Sequence, residues 1–172
     1  MKRVFLFLVV SLFLGSSLSF AQDYDKEIKR LKQKIIELQN KAPFGIEKML
    51  PCKKIFNFGM YVPTESTSLR KGDTLLIYIE PKNFFISSRD GMYETWITED
   101  INILDEKGNV VFKKTNMVES HIVSKSPIFD IFFQNSLNLG GVPEGHYKFR
   151  AILYDKLKGT STYKDVDFYV SK

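Results

Sequence analysis

LGGVPEGHYKFRAILYD, residues 139–155, is the stretch on which the fold turns. Its three glycines, proline and histidine suit either a loop that cradles a phosphate or metal, or a corner that feeds a strand. The residues that follow decide between them. A phosphate loop opens a helix, whose N-terminus presents free N–H donors. Here Tyr147, Phe149, Ala151 and Leu153 alternate with Lys148 and Arg150, and a period of two is that of a half-buried strand. The glycines are therefore read as turn dihedrals and Pro143 as a fixed φ. His146 neighbours the inward Tyr147 and so points outward.

The same texture runs upstream and downstream. DTLLIYIE (73–80) places Leu75, Ile77 and Ile79 on one face, and YETWITEDINILD (93–105) places Tyr93, Ile97, Ile101 and Ile103 together. NVVFKK (109–114) follows the Glu106-Lys107-Gly108-Asn109 turn and closes a hairpin. PIFDIFF (127–133) alternates Phe129, Ile131 and Phe133, and YKDVDFYV (163–170) alternates Val166, Phe168 and Val170. Further strands are expected over 54–61 and, more weakly marked, over 118–124. No helical period separates them, so parallel βαβ units are not expected. Seven or eight short strands with recurrent turns predict an antiparallel β-sandwich. The high aromatic content, 14% with 15 phenylalanines, suits such a core.

The run PEGHYKFRAILYD, a turn over 156–159, and YKDVDFYV together resemble the last hairpin of bacterial immunoglobulin-like and fibronectin type III-like domains. The resemblance extends over roughly residues 127–172 and is looser over 54–126, where FNFGMYVPTESTSLRKGDTLLIYIEPKNF resembles segments of exported bacterial proteins. It implies that Tyr147 ties the chain at a corner through its hydroxyl. It places Phe149 where immunoglobulin domains carry a cysteine, and makes Trp96 a candidate for the tryptophan of strand C. There is no cysteine pair for the antibody-type disulfide, and the architecture by itself implies no activity.

The beginning of the chain has a different texture. MKRVFLFLVVSLFLGSSLSFA (1–21) has a basic end at Lys2 and Arg3, an apolar run over 4–14, and small residues Ser19 and Ala21 before a cleavage site. These are the parts of a secretory signal peptide, so the protein is expected to be exported to the periplasm or beyond. The alternative is an uncleaved anchor, for which the apolar run is short. Residues 22–43 then form a basic amphipathic segment, predicted helical over 24–41 between a cap at Asp23 or Asp25 and a stop at Pro43. Ile28, Leu31, Ile35 and Leu38 follow an a/d heptad spacing. Three uses are open to this helix: packing on residues 44–172, a short parallel coiled coil between copies, or a basic face on anionic lipid.

Without residues 1–21 the chain has 23 basic and 20 acidic residues, too mild an excess to expect nucleic-acid binding. Cys52 is the single cysteine, so no internal disulfide can form, and it is expected to be a packed thiol, the alternatives being pairing between chains and a reactive thiol. Only His121 and His146 could serve as histidine bases, and neither belongs to a metal or triad motif. Among the acids, Asp165 and Asp167 share a face with Tyr163 and Tyr169 and read as solvated surface. Glu99 and Asp100 point to opposite faces. No catalytic residue, cofactor or metal is expected. The expected role is a non-enzymatic envelope module that binds a protein or polymer. The alternative is a glycan-binding module that uses the aromatics Phe84, Phe85, Tyr93 and Trp96.

Overall fold

Alternation becomes pairing in the computed structural model, which describes residues 24–172; the signal segment and the Asp23 cap lie outside the described residues. The chain divides into two compact units, Met1–Leu38 and Gln39–Lys172. Helix α1 covers residues 24–41, as its heptad spacing predicts. Tyr24, Ile28, Leu31, Ile35 and Leu38 are all exposed along it. Among the described residues no helix is long and apolar enough to cross a membrane.

The remainder is mainly β. Its ten strands are β1 (Gly45–Asn57), β2 (Met60–Pro63), β3 (Ser68–Arg70), β4 (Thr74–Lys82), β5 (Ser87–Arg89), β6 (Met92–Asp105), β7 (Val110–Ser124), β8 (Phe133–Asn138), β9 (Gly145–Asp155) and β10 (Thr160–Ser171). They form a four-stranded sheet, β2-β1-β4-β8, and a six-stranded sheet in which β3-β10-β9-β6 lie in that order. Strand β6 is paired along both edges: Ile97 faces Asp155 of β9 on one side and Ser120 of β7 on the other.

Several expectations need correction. The count is ten strands rather than seven or eight, and the arrangement is not wholly antiparallel, because β3 runs parallel to β10. Residues 54–61 are not one strand but the turn end of the β1–β2 hairpin, where Gly59 takes φ 66°. Residues 109–114 and 118–124 are one long strand, β7, with a bulge at 115–117. There Asn116 takes φ 51° and donates its N–H to Asp100 Oδ1 at 2.8 Å. Residues 127–132 join no ladder, despite their alternation. They begin at Pro127, and Phe132 lies against Tyr78 with ring centroids 5.7 Å apart. The strand there is the more polar FQNSLN of β8.

Leu75, Ile77 and Ile79 of β4, Ile97, Ile101 and Ile103 of β6, Phe149, Ala151 and Leu153 of β9, and Phe168 and Val170 of β10 are all buried and make up much of the core. Each fully buried side chain of this size contributes about 1.5–3 kcal/mol from apolar burial.

The residues 139–155 form the expected corner. Tyr147 Oη donates to the carbonyl of Pro143 at 3.0 Å. Gly145 has φ 156°, and a Cβ placed there would stand 3.5 Å from the Tyr147 ring. Gly140 and Gly141 are the central residues of the expected turn, closed by the Val142 N–H donating to the Leu139 carbonyl at 3.1 Å, although neither takes a left-handed backbone; the Gly140 N–H also donates to Asn138 Oδ1. A Tyr147→Phe variant keeps the packing and loses the hydrogen bond. It should be less stable by about 1 kcal/mol in urea unfolding, with an unchanged m-value.

Candidate functional site

The outward face of β6 carries Trp96, Thr98 and Asp100, because their neighbours Ile97, Glu99 and Ile101 face inward. Trp96 is therefore half-exposed rather than a core tryptophan of strand C. Across the ladders, β9 contributes Tyr154 opposite Thr98, and β7 contributes Glu119 opposite Thr98 and His121 opposite Trp96. The bulge at Thr115-Asn116 raises one rim. Together with Lys156, all of these side chains except His121 line an open depression of about 370 Å³.

Its polar groups are held in place by one another. Trp96 Nε1 donates to Glu119 Oε1 at 2.9 Å. One face of the indole is covered by the His121 ring, with centroids 4.5 Å apart and an interplanar angle of 16°. Asp100 accepts from Tyr154 Oη at 3.2 Å and from the Asn116 N–H at 2.8 Å. Burial and the neighbouring Asp100 carboxylate push the Tyr154 phenol above its ordinary pKa, so it remains a donor. The result is an aromatic wall with fixed acceptors and the Lys156 amine, which has no ion-pair partner among the described residues. Groups of these kinds are able to hydrogen-bond hydroxyls and to meet C–H groups with the ring face.

The four aromatics expected to act together do not meet. Phe84 is buried in the core, and its carbonyl accepts from Gln39 Nε2 at 2.7 Å. Phe85 is half-buried, with its N–H donated to Asp155 Oδ2 at 2.6 Å. Tyr93, at the start of β6, pairs with Ser88 and Ser124 and does not line the depression. Trp96 alone of the four is at the site. The partners the sequence reading missed are Tyr154, Asn116, Glu119 and Lys156, together with Asp100, which had been set aside. Tyr154 was within reach, since it alternates with the inward Leu153. The others come together only through strand register and the bulge.

The histidines lie on cross-strand surface. His121 Nε2 is 2.8 Å from Glu94 Oε1, and His146 Nε2 is 2.8 Å from Asp167 Oδ1, with His146 stacked on Tyr169. Neither has a hydroxyl or thiol nucleophile as its partner. Asp165 holds Arg150 through two bonds of 2.7 and 2.8 Å. Cys52 is buried and burial raises its thiol pKa, which keeps it a poor nucleophile. Among the described residues no three His, Cys, Asp or Glu side chains cluster to hold a metal ion.

One titratable group is chemically unusual. Glu99 projects from β6 into the core with no exposed surface, and Asn135 of β8 donates to its Oε1 at 2.7 Å. Glu99 Oε2 and Asn135 Oδ1, both acceptors, have no partner. Burial pushes the Glu99 carboxyl up to about 7, with Asp100 adding to the shift and the Asn135 donor opposing it. A proton on Glu99 supplies the missing donor. Glu99 is not among the residues that line the Trp96 depression, and its burial bears on stability. No family model matches the chain, and no curated protein sequence matches it.

Because the folded-state pKa of Glu99 is raised, folding is favoured while the group is protonated. That contribution is fully present below the unfolded value near 4.5 and is lost as pH rises to about 7. Glu99→Gln keeps the shape and supplies a permanent donor. Urea unfolding at pH 8 should find the variant more stable, by up to about 3 kcal/mol. The gap should shrink towards pH 4.5.

Proposed function

We propose that this protein is a non-enzymatic, exported binding module of a bacterial envelope, built on an immunoglobulin-like β-sandwich, that takes an envelope polysaccharide in the Trp96–Tyr154 depression. The observation that carries the reading is the depression itself. An indole backed by His121, two anchored carboxylates, a phenol, an asparagine and a lysine line an open hollow on a rigid ladder. An open hollow admits a chain that continues in both directions, whereas an enclosed pocket would take only an end or a small molecule. The Tyr147–Pro143 corner and the β9–β10 hairpin support the immunoglobulin-like assignment. Export rests on the composition of residues 1–21.

The test is a glycan array of bacterial envelope polysaccharide fragments, followed by titration calorimetry on the fragments retained. Trp96→Ala should weaken binding about tenfold or more, equivalent to about 1.4 kcal/mol. Its circular dichroism should be unchanged, because the residue is half-exposed on a doubly paired strand. Equal binding by the variant, or retention of no fragment, would overturn the reading.

The helix favours a second element, self-association. Tyr24, Ile28, Leu31, Ile35 and Leu38 occupy successive d and a positions and are all exposed. In a parallel pair, Glu27 at g faces Lys32 of the other copy at e. Sedimentation equilibrium should show a concentration-dependent oligomer that Ile35→Lys converts to monomer; a monomer at high concentration in the parent chain would end this part of the proposal.

A further inference from the structure

A second surface lies on the other sheet. After Cys52 the β1–β2 hairpin bends over the outward side of the four-stranded sheet and is pinned there. The Tyr61 ring lies 4.3 Å from that of Tyr78, centroid to centroid, and the Gly59 N–H donates to Tyr78 Oη at 2.7 Å. Tyr78 is fully buried and donates in turn to Glu80 Oε1 at 2.6 Å. Lys48 pairs with that carboxylate at 3.2 Å. The inward side of the hairpin is thus Ile55 and Tyr61. Its outward side carries Phe56, Phe58, Met60 and Val62, which are exposed by 64, 38, 60 and 42%.

Four large apolar side chains exposed within seven residues are too many for scattered surface hydrophobics. They sit on a two-residue turn and its flanks, a convex shape that cannot enclose a ligand but can enter a soft phase. Lys53 and Lys54 are exposed at the shoulder, and among the described residues neither is in an ion pair. No acidic residue occurs between Lys48 and Thr64. An apolar tip flanked by unpaired cations complements a negatively charged bilayer, which offers hydrocarbon below a layer of phosphates.

We infer that the outward side of the β1–β2 hairpin docks on an anionic lipid bilayer, with Phe56, Phe58 and Met60 entering the acyl boundary and Lys53 and Lys54 at the phosphates. The inference stands apart from polysaccharide binding, since it uses the other sheet and shares no residue with the depression. The bonds to Tyr78 hold the hairpin ready, so little ordering is required on contact.

Vesicle flotation with the full chain tests it. Equimolar phosphatidylglycerol–phosphatidylcholine vesicles should carry the protein, and pure phosphatidylcholine vesicles should carry much less. A Phe56→Ser/Met60→Ser double variant should bind the anionic vesicles about tenfold more weakly, as should Lys53→Glu/Lys54→Glu. Residues 1–21 and helix α1 are common to all variants and add the same background. Location is read separately: the indole introduced by Phe58→Trp should show quenching by brominated phosphatidylglycerol beyond that of the parent chain, which has only Trp96. Equal flotation of the double variants and the parent, or no added quenching at position 58, would overturn the inference. Loss of binding to a protein partner with unchanged flotation would also overturn it and assign the surface to that partner.

Discussion

Pairing of β6 along both edges is the constraint from which the rest of the β-rich unit follows. A strand hydrogen-bonded to β7 on one side and to β9 on the other cannot rotate or slip without breaking two ladders. Its alternation therefore assigns every residue from Ile97 to Ile103 to a fixed side. One side supplies Ile97, Glu99, Ile101 and Ile103 to the core; the other supplies Trp96, Thr98 and Asp100 to the depression. Core and candidate site are two faces of one register. A one-residue slip would bury Asp100 and expose Ile101 together.

That register also makes Glu99 and Asn135 dependent on each other. Each is a polar residue at an inward position, and each alone would carry a desolvation cost of about 1–3 kcal/mol or more. Together they satisfy one bond across the two sheets at 2.7 Å, and the proton that the buried Glu99 carboxyl retains towards neutral pH accounts for the remainder. A polar pair of this kind is a weak source of stability, but it disfavours any packing of β8 on β6 that separates the two. The same pair explains why β8 was misread. FQNSLN has a polar residue at the centre of its inward face, and only the partner on β6 makes that acceptable. PIFDIFF next to it has the cleaner alternation and forms no ladder.

What was legible in the sequence is what depends on local spacing. Helix α1 and strands β4, β6, β9 and β10 follow from periodicity, the Tyr147 corner was implied by the resemblance of its hairpin, and each is present. The misreadings depend on distant residues. The bulge in β7 needs Asp100 to receive the Asn116 N–H. The turn at Phe58-Gly59 needs the Tyr78 hydroxyl nineteen positions away. Phe84 lies between strands and is nevertheless buried, because its loop is drawn in by Asn40 and Asp155. Asn40 accepts from the Ile86 N–H, and the Asp155 carboxylate accepts from the N–H groups of Phe85, Leu157 and Lys158. Of the proposed site, Trp96 was named in advance and Tyr154 was within reach of the β9 alternation, whereas the other members are brought together by register and the bulge.

The two proposed surfaces lie on different sheets and share no residue. The Trp96 depression lies on the outer face of the six-stranded sheet, and the apolar hairpin covers the outer face of the four-stranded one. Occupying one leaves the other open. The chemistry of the two also differs in the way that position demands: fixed acceptors and an aromatic wall on one side, and an apolar cover with unpaired lysines on the other. On the two proposals taken together, the module would hold a hydroxyl-rich polymer against a charged bilayer. The doubly paired β6 and the Tyr78 pin would then serve both proposed surfaces by keeping each in a fixed shape.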